Sequence, residues 1–418
     1  MQVNRRFFLH RGALAIAGTT AIPSFLVRSV LAEPATLRRR LVVVFQRGAA
    51  DGLNIVVPYR EKNYYSMRPS IAIPQNQVVD LDGFFGLHPS LAPFKPLYDQ
   101  GHLAVVHAAG SPDTTRSHFD AQDYMESGTP GIKSTQDGWL NRALQAEDLR
   151  QRCTGTCEQH TAFRALALGA DVPRTLAGRI PAIALNNVNG FTVAGRGATP
   201  SSAASAFEAM YADSGDRILH QAGDETFDAV KMLRAANPSQ YAPVPNANYP
   251  TSEFGNSMKQ LAQLLKADLG VEVAFTDVNG WDTHQNQGSV NGQLANRLAD
   301  FSASIAAFWR DMGDSAGDIT LVTMSEFGRT ARENGTGGTD HGHANAMFVL
   351  GGNVKGGKVY GRWPGLDNDQ LNEGRDLKLT TDYRQVLGEV AAQSLGVSNL
   401  DAVFPGAGIT ANRFLRLV

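Results

Sequence analysis

Ile319-Thr-Leu-Val-Thr-Met-Ser-Glu326-Phe-Gly-Arg329 runs on through Thr-Ala-Arg-Glu-Asn-Gly-Thr-Gly-Gly-Thr-Asp340-His341-Gly-His343 and closes with Ala-Asn-Ala-Met-Phe-Val-Leu350-Gly-Gly352. Two short apolar runs bracket a Gly-rich loop, and the loop ends in one acid and two histidines within four residues. A β-branched run closed by Glu and Gly predicts a buried strand that delivers a carboxylate at its end. Histidines separated by one residue point the same way only where the backbone is extended. The plain alternative is a hydrogen-bonded polar loop. A His pair with an Asp and a nearby Glu favours one half of a metal site, whose other half must come from elsewhere in the chain.

Upstream, Leu294, Leu298, Phe301, Ile305, Phe308 and Met312 share one helical face. Before them a strand from Val271 to Thr276 leads into Asp277-Val-Asn-Gly-Trp-Asp282-Thr-His284, and Met258, Leu261, Leu264, Leu265 and Leu269 mark another helix closed by Gly270. Leu41-Val-Val-Val-Phe45 is apolar without alternation, as a central strand covered on both faces must be. It ends in Gln-Arg-Gly48-Ala-Ala-Asp51-Gly52, where the glycines permit tight backbone geometry. Alone, Asp51 reads as a turn residue. Leu103-Ala-Val-Val-His107 is the next strand; it runs into Arg116-Ser117-His118 and a helix over 119–126. Ser117 is placed as an N-cap, with Asp120 three residues on. The same position would put a nucleophilic oxygen at a positive helix end.

Further helices are expected over 137–148, 201–235 (two, amphipathic) and 382–395, with a strand candidate at 163–168. Residues 171–200 are loop-like, and 238–250 is a linker with four prolines. Strands alternating with helical patterns predict an α/β fold: a mostly parallel central sheet with helices on both faces. Residues 33–418 form a single domain in this reading, with 130–250 as a candidate lid or insert.

Hydrophobic content of 43% and charged content of 19% place the chain among ordinary globular proteins. The start differs. Asn4-Arg5-Arg6-Phe-Phe-Leu9 precedes a small-residue apolar run and Val30-Leu-Ala32, a cleavage-type sequence, so 1–32 is expected to be an export signal. The run is short and interrupted by Pro23, which favours cleavage over a retained anchor. No later stretch is apolar enough to span a membrane. The signal carries four arginines and no acids; its removal leaves 34 Lys and Arg against 40 Asp and Glu, a formal −6. Such a chain has no general attraction for nucleic acid or anionic lipid. Cys153 and Cys157, the only cysteines, suggest a short-loop disulfide in an oxidising compartment; two free thiols or a metal pair are the alternatives.

Four apolar strands are thus each followed by reactive side chains: Asp51, Ser117, Asp282 with His284, and Glu326. In an open parallel sheet these ends share one edge. His343 reaches that edge if the strand after it runs antiparallel. Asp, Glu and His together suit zinc, manganese, iron or cobalt, whereas an all-oxygen calcium or magnesium site would not use three histidines.

The Arg-Gly-Ala-Ala-Asp51, Thr-Thr-Arg116-Ser117-His118, Gly-Trp-Asp282-Thr-His284 and Ser-Glu326-Phe-Gly-Arg329 to Asp340-His341-Gly-His343 elements resemble an exported bacterial family, domain of unknown function 1501. That family is similar in layout to the alkaline phosphatase and sulfatase superfamily. The resemblance implies an alkaline-phosphatase-like fold, with Asp51 as a bridging acid, Ser117 as nucleophile, Asp282 with His284 as a ligand pair, Glu326 as the acid of a second pair and His343 as the last histidine. One residue separates Asp282 from His284, where the superfamily has three, and Phe327 stands where a His usually follows the acid. The formylglycine signature of sulfatases is absent. The paired arginines resemble a twin-arginine signal, implying the twin-arginine export machinery as a partner and a periplasmic or secreted location.

The expectation is an exported metal-dependent hydrolase of phosphate or sulfate esters, with an anionic ester as substrate. Its cofactor would be a divalent transition metal, zinc first and manganese or iron as alternatives, in one or two ions. Asp51, Asp282, His284, Glu326, Asp340, His341 and His343 are the candidate ligands. One of Asp340 and His341 can orient a ligand instead of binding. Ser117 is the candidate nucleophile, Arg116 or Arg329 would hold an anionic oxygen, and His118 would position neighbours or act as general acid. The alternative is a non-catalytic exported binding or scaffold protein that keeps the fold.

Overall fold

The computed structural model describes residues 39–154, 160–188, 229, 231–233 and 240–418. The export signal, the side chain of Cys153, all of Cys157 and most of the helices expected over 201–235 lie outside them.

The central strand is β1 (Arg40–Arg47), and six successive residues of it are buried. Its alternate side chains enter different cores. Val42 and Val44 pack with Phe254, Met258, Leu261 and Leu265 of α3 (Glu253–Lys266) and Leu294, Leu298, Phe301, Ile305 and Phe308 of α4 (Gln293–Met312). Leu41, Val43 and Phe45 pack with Trp139, Leu140, Ala143 and Leu144 of α2 (Trp139–Thr154) and Tyr383, Val386, Leu387 and Val390 of α5 (Tyr383–Leu395). An apolar run without alternation is what two covered faces require. Among the described residues, no helix is long and apolar enough to cross a membrane.

The remaining strands of this sheet are β2 (Leu103–Gly110), β3 (Ala165–Leu168), β4 (Ile183–Leu185), β5 (Val273–Asn279), β6 (Ile319–Met324), β7 (Asn345–Gly351), β8 (Lys358–Tyr360) and β9 (Thr381–Asp382). The order is β8-β2-β7-β6-β1-β5-β3-β4, with β9 also paired to β2. All pairings are parallel except those of β7, which is antiparallel to both β6 and β2. The register sets Arg47 beside Asn279 and Phe45 beside Met324, so β1, β5 and β6 end together. Because β7 runs the other way, the loop before it starts at that same edge. The helix α1 (His118–Ser127) follows β2 there and stops at Gly128, in the left-handed conformation at φ 69°.

Within the stretch 130–250, β3 and β4 extend the sheet and α2 covers one of its faces. A small antiparallel sheet of Val56–Val57, Gly86–Leu87 and Val79–Asp80 flanks the first crossover.

Candidate metal centre

Where β1 ends, Gly48 has φ +113°, and a Cβ on it would meet the backbone nitrogen of Asp282 at 2.8 Å. Only glycine lets the loops after β1 and β5 lie this close. Beyond β5, Trp281 is fully buried and donates its indole N–H to the Val278 carbonyl at 2.9 Å. This anchor turns the next side chain, Asp282, outward. Arg329 fixes it. The Arg329 side chain is fully buried; its guanidinium donates to the carbonyls of Ala49 (2.7 Å), Gly48 (2.5 Å), Thr339 (3.0 Å) and Trp281 (3.2 Å), and to Asp282 Oδ1 at 2.5 Å.

Three imidazoles face Asp282, each held from behind. His118 Nδ1 lies 2.8 Å from Glu326 Oε1, His341 Nδ1 2.8 Å from the Arg116 carbonyl, and His284 Nδ1 3.1 Å from Asp340 Oδ1. A carbonyl and two carboxylates only accept, so every Nδ1 carries the proton and donates. Every Nε2 is therefore left with a lone pair. His118 Nε2, His284 Nε2 and His341 Nε2 lie 3.6, 3.1 and 3.4 Å from Asp282 Oδ1. His284 Nε2 and His341 Nε2 are 2.9 Å apart. Two lone pairs at that distance call for a proton or a metal ion between them. His118 Nε2 is buried and has no hydrogen-bond partner.

These donors fit a transition metal. Ligand bonds of roughly 2.0–2.2 Å put the corners of a tetrahedron roughly 3.3–3.6 Å apart, which matches the 3.6 and 3.4 Å from His118 and His341 to Asp282. The donor atoms of His118, Asp282 and His341 all lie within 4.8 Å of one another, and this is the one such group among the described residues. His284 stands outside it while meeting two of its members.

Electrostatics favours the ionised carboxylates and a neutral His341, while His118 is drawn toward its protonated form. Burial pushes the Glu326 carboxyl up, but hydrogen bonds from His118, Gln122 and the Gly48 N–H outweigh it, and Glu326 stays below its ordinary range. The bond to Glu326, opposed by partial burial, raises His118. Burial opposes ionisation of Asp282 as well, yet Arg329 and the neighbouring histidines hold its carboxyl low. Burial lowers His341, which keeps its Nε2 lone pair free, against a smaller opposing effect of the Arg116 carbonyl.

Several residues stand differently from their sequence-based roles. Asp51 is 1% exposed and stands outside the His118, Asp282 and His341 group, with its buried Oδ1 unpartnered. Its Oδ2 accepts from Arg68 at 2.6 Å and Gln287 at 2.7 Å, which makes it the centre of a buried framework. Glu326 and Asp340 hold the backs of imidazoles. His118, expected to position neighbours, presents its own Nε2 to the centre. His343 lies off the cluster, in the field of Asp376, Arg116, Glu373 and Asp113, and burial lowers it. Arg329 is committed to backbone and Asp282. Arg116 gives one nitrogen, Nη2, to Asp376 at 2.7 Å and Glu373 at 2.8 Å, and its buried Nε has no hydrogen-bond partner. Ser117 is exposed at the start of α1, and its side chain makes no capping bond.

Arg68, Gln287 and Gln122 carry no sequence signal. Arg68 is fully buried and ties Asp51 and Asn54 to the carbonyls of Thr330 and Ala331. Gln287 joins Asp51 to the hydroxyls of Thr283 and Thr339. Gln122 donates to Glu326 and accepts from Arg47.

In overall chain path the protein is similar to three solved structures, each at 10% identity. The C-terminal periplasmic domain of EcEptC from Escherichia coli, in complex with Zn, is matched over 76% of this chain and 74% of that one, with a TM-score of 0.35. Phosphonate monoester hydrolase of Agrobacterium radiobacter is matched over 90% and 77%, with 0.36. The lipoteichoic acid synthase LtaP from Listeria monocytogenes is matched over 82% and 71%, with 0.31. No curated protein matches the sequence. The model of one family matches residues 38–404, nearly the whole described chain, and the protein belongs to that family, described as protein of unknown function (DUF1501).

Proposed function

We propose that the chain is an exported metal-dependent hydrolase of phosphate or sulfate esters, with Ser117 as nucleophile. The observation that carries the reading is the convergence of three imidazole Nε2 atoms on Asp282 Oδ1, one of them from His118, which follows the exposed Ser117 directly in the chain. His118, Asp282 and His341 would hold one divalent transition metal, zinc first and manganese or iron as alternatives, with His284 beside them. An ion held there supplies positive charge that polarises the oxygens of an ester and stabilises charge developing on them. One carboxylate among neutral imidazoles leaves a dication with net positive charge, which selects an anionic substrate.

The chain's own residues do the rest. Ser117 sits at the N-terminus of α1, a helix of 10 residues whose first amides favour an anion. Its Oγ would bond to phosphorus or sulfur as the bond to the ester oxygen breaks, the serine proton ending on the departing alcohol, and water would then cleave the serine ester to release phosphate or sulfate and restore the hydroxyl. Glu326, Asp340 and the Arg116 carbonyl keep each imidazole in the Nδ1–H tautomer, and Arg329 aims Asp282.

Elemental analysis of protein purified without chelators should find about one transition-metal ion per chain. Ser117→Ala should keep that ion and lose hydrolysis of phosphate and sulfate esters; unchanged turnover would remove Ser117 as nucleophile. A second reading, a metal-binding protein without catalysis, draws on Arg329, whose guanidinium is fully engaged by backbone carbonyls and Asp282. Metal-loaded protein inert across a broad ester panel would favour it.

A further inference from the structure

The four donors are not held alike. His118 is backed by Glu326, whose side chain is fully buried, and stacks on Phe327 at 5.0 Å. Asp282 is backed by Arg329, also fully buried. His341 is backed by the carbonyl of Arg116, and Arg116 is locked to the fully buried Asp376. His284 is different. Its side chain is 39% exposed, but Asp282 is itself 46% exposed, so the difference lies in the support: the carboxylate behind His284, Asp340, is 55% exposed. The backbone of His284 is fixed all the same. The carbonyl accepts from Asn334 Nδ2 at 2.9 Å and Thr336 Oγ1 at 2.8 Å, and a Cβ on Gly338 would meet it at 2.3 Å. Any movement of His284 is therefore confined to the side chain.

A site closed by four protein donors is structural, whereas chemistry at a metal needs an open position. We propose that His284 is a displaceable fourth donor, capping the centre at rest and turning toward solvent when an anionic ligand takes its place, while His118, Asp282 and His341 keep hold throughout. The contrast that carries this inference is between two fully buried side chains and a backbone carbonyl behind the other donors and an exposed carboxylate behind His284. It rests on the metal-centre part of the reading above and not on the ester chemistry.

Zinc affinity, measured by competition with a chromophoric chelator, tests it together with the visible absorption of the cobalt(II)-loaded protein titrated with inorganic phosphate. His284→Ala should weaken zinc binding by about 10-fold, and His118→Ala and His341→Ala by more than about 100-fold. Phosphate should bring the wild-type and His284→Ala cobalt spectra to the same end point, saturating the variant at lower concentration because no side chain competes. Asp340→Asn, which loosens His284 without removing it, should shift phosphate saturation the same way and keeps the test independent of whether the His118 and His341 variants fold. The inference is overturned if His284→Ala weakens zinc as much as His341→Ala, or not at all, or if the phosphate-bound spectra differ. A wild type that binds no zinc would sink the metal-centre reading itself. A wild type that binds zinc, behaves as above and cleaves no ester would sink only the hydrolase reading.

Discussion

Gly48 is where a single methyl group would do most damage. Its φ of +113° is strained for any L side chain, and the Asp282 nitrogen stands 2.8 Å from the missing Cβ. Gly48→Ala should cost about 2–3 kcal/mol in a denaturant melt, the scale of a strained backbone position. It should also weaken zinc binding, because its N–H bonds Glu326 and its loop packs on Asp282. A melt and a titration both unchanged would show that the two loops do not need this contact. The same neighbourhood explains which roles were readable from sequence. Asp282, His284 and Glu326 announce themselves by following apolar runs, and His341 by closing the Gly-rich loop before one. A carboxylate that binds an ion and one that holds the back of an imidazole have the same composition, so the duties of Glu326 and Asp340 emerge only from where the Nδ1 atoms lie. Arg68 was illegible for another reason: nothing in Ser-Met-Arg-Pro tells that this arginine is fully buried against Asp51.

Helices α3 and α4 are tied to the segment before them through Asp311. This carboxylate is 1% exposed and accepts from Lys266 Nζ (2.5 Å), Tyr249 OH (2.8 Å), the Val244 N–H (3.0 Å) and Tyr241 OH. Burial pushes it up, but those donors pull it further down, so its folded pKa lies below the ordinary carboxylate value. A depressed carboxylate contributes stability above its unfolded pKa, and the contribution is lost as pH falls through the folded one. Asp311→Asn should therefore cost about 3 kcal/mol near neutral pH by leaving Lys266 and two tyrosines without their anion. The gap to wild type should close below about pH 4, as followed by urea melts across pH. A gap that persisted undiminished in acid would mean that packing, not charge, sets the cost. Among the strands, β1, β2, β5, β6 and β7 were legible because their apolar runs are buried on two faces. The three residues of β4 sit in a Gly-, Pro- and Asn-rich setting that reads as loop, and β8 and β9 are too short to show a period.

Two cores on either face of one sheet give the protein its order, and the sheet edge gives it the site. That plan follows from the alternation of apolar runs and helical faces. Which way β7 points does not; it had to be inferred from the need to bring the residues before it to the same edge, and the antiparallel pairing to β6 and β2 supplies it. The export route is a separate proposal that rests on Arg5 and Arg6. Replacing both with lysine should leave the precursor in the cytoplasm of a bacterial host, as read by cell fractionation; normal export would point to another route.

The imidazoles and their supports come from distant parts of the chain: 208 positions separate His118 from Glu326, and 225 separate His341 from the carbonyl that orients it. No short piece of a growing polypeptide contains a pre-formed trap for an ion, and closing such long loops belongs to late stages of folding. If the proposed centre takes a metal ion, capture must therefore wait until synthesis has passed β7. The pool of free metal sampled by the protein is that of the compartment in which folding finishes. If folding precedes export, cytoplasmic availability, rather than periplasmic abundance or intrinsic preference, selects the ion. The arginine-to-lysine precursor held inside the cell should then carry the same metal as the exported protein.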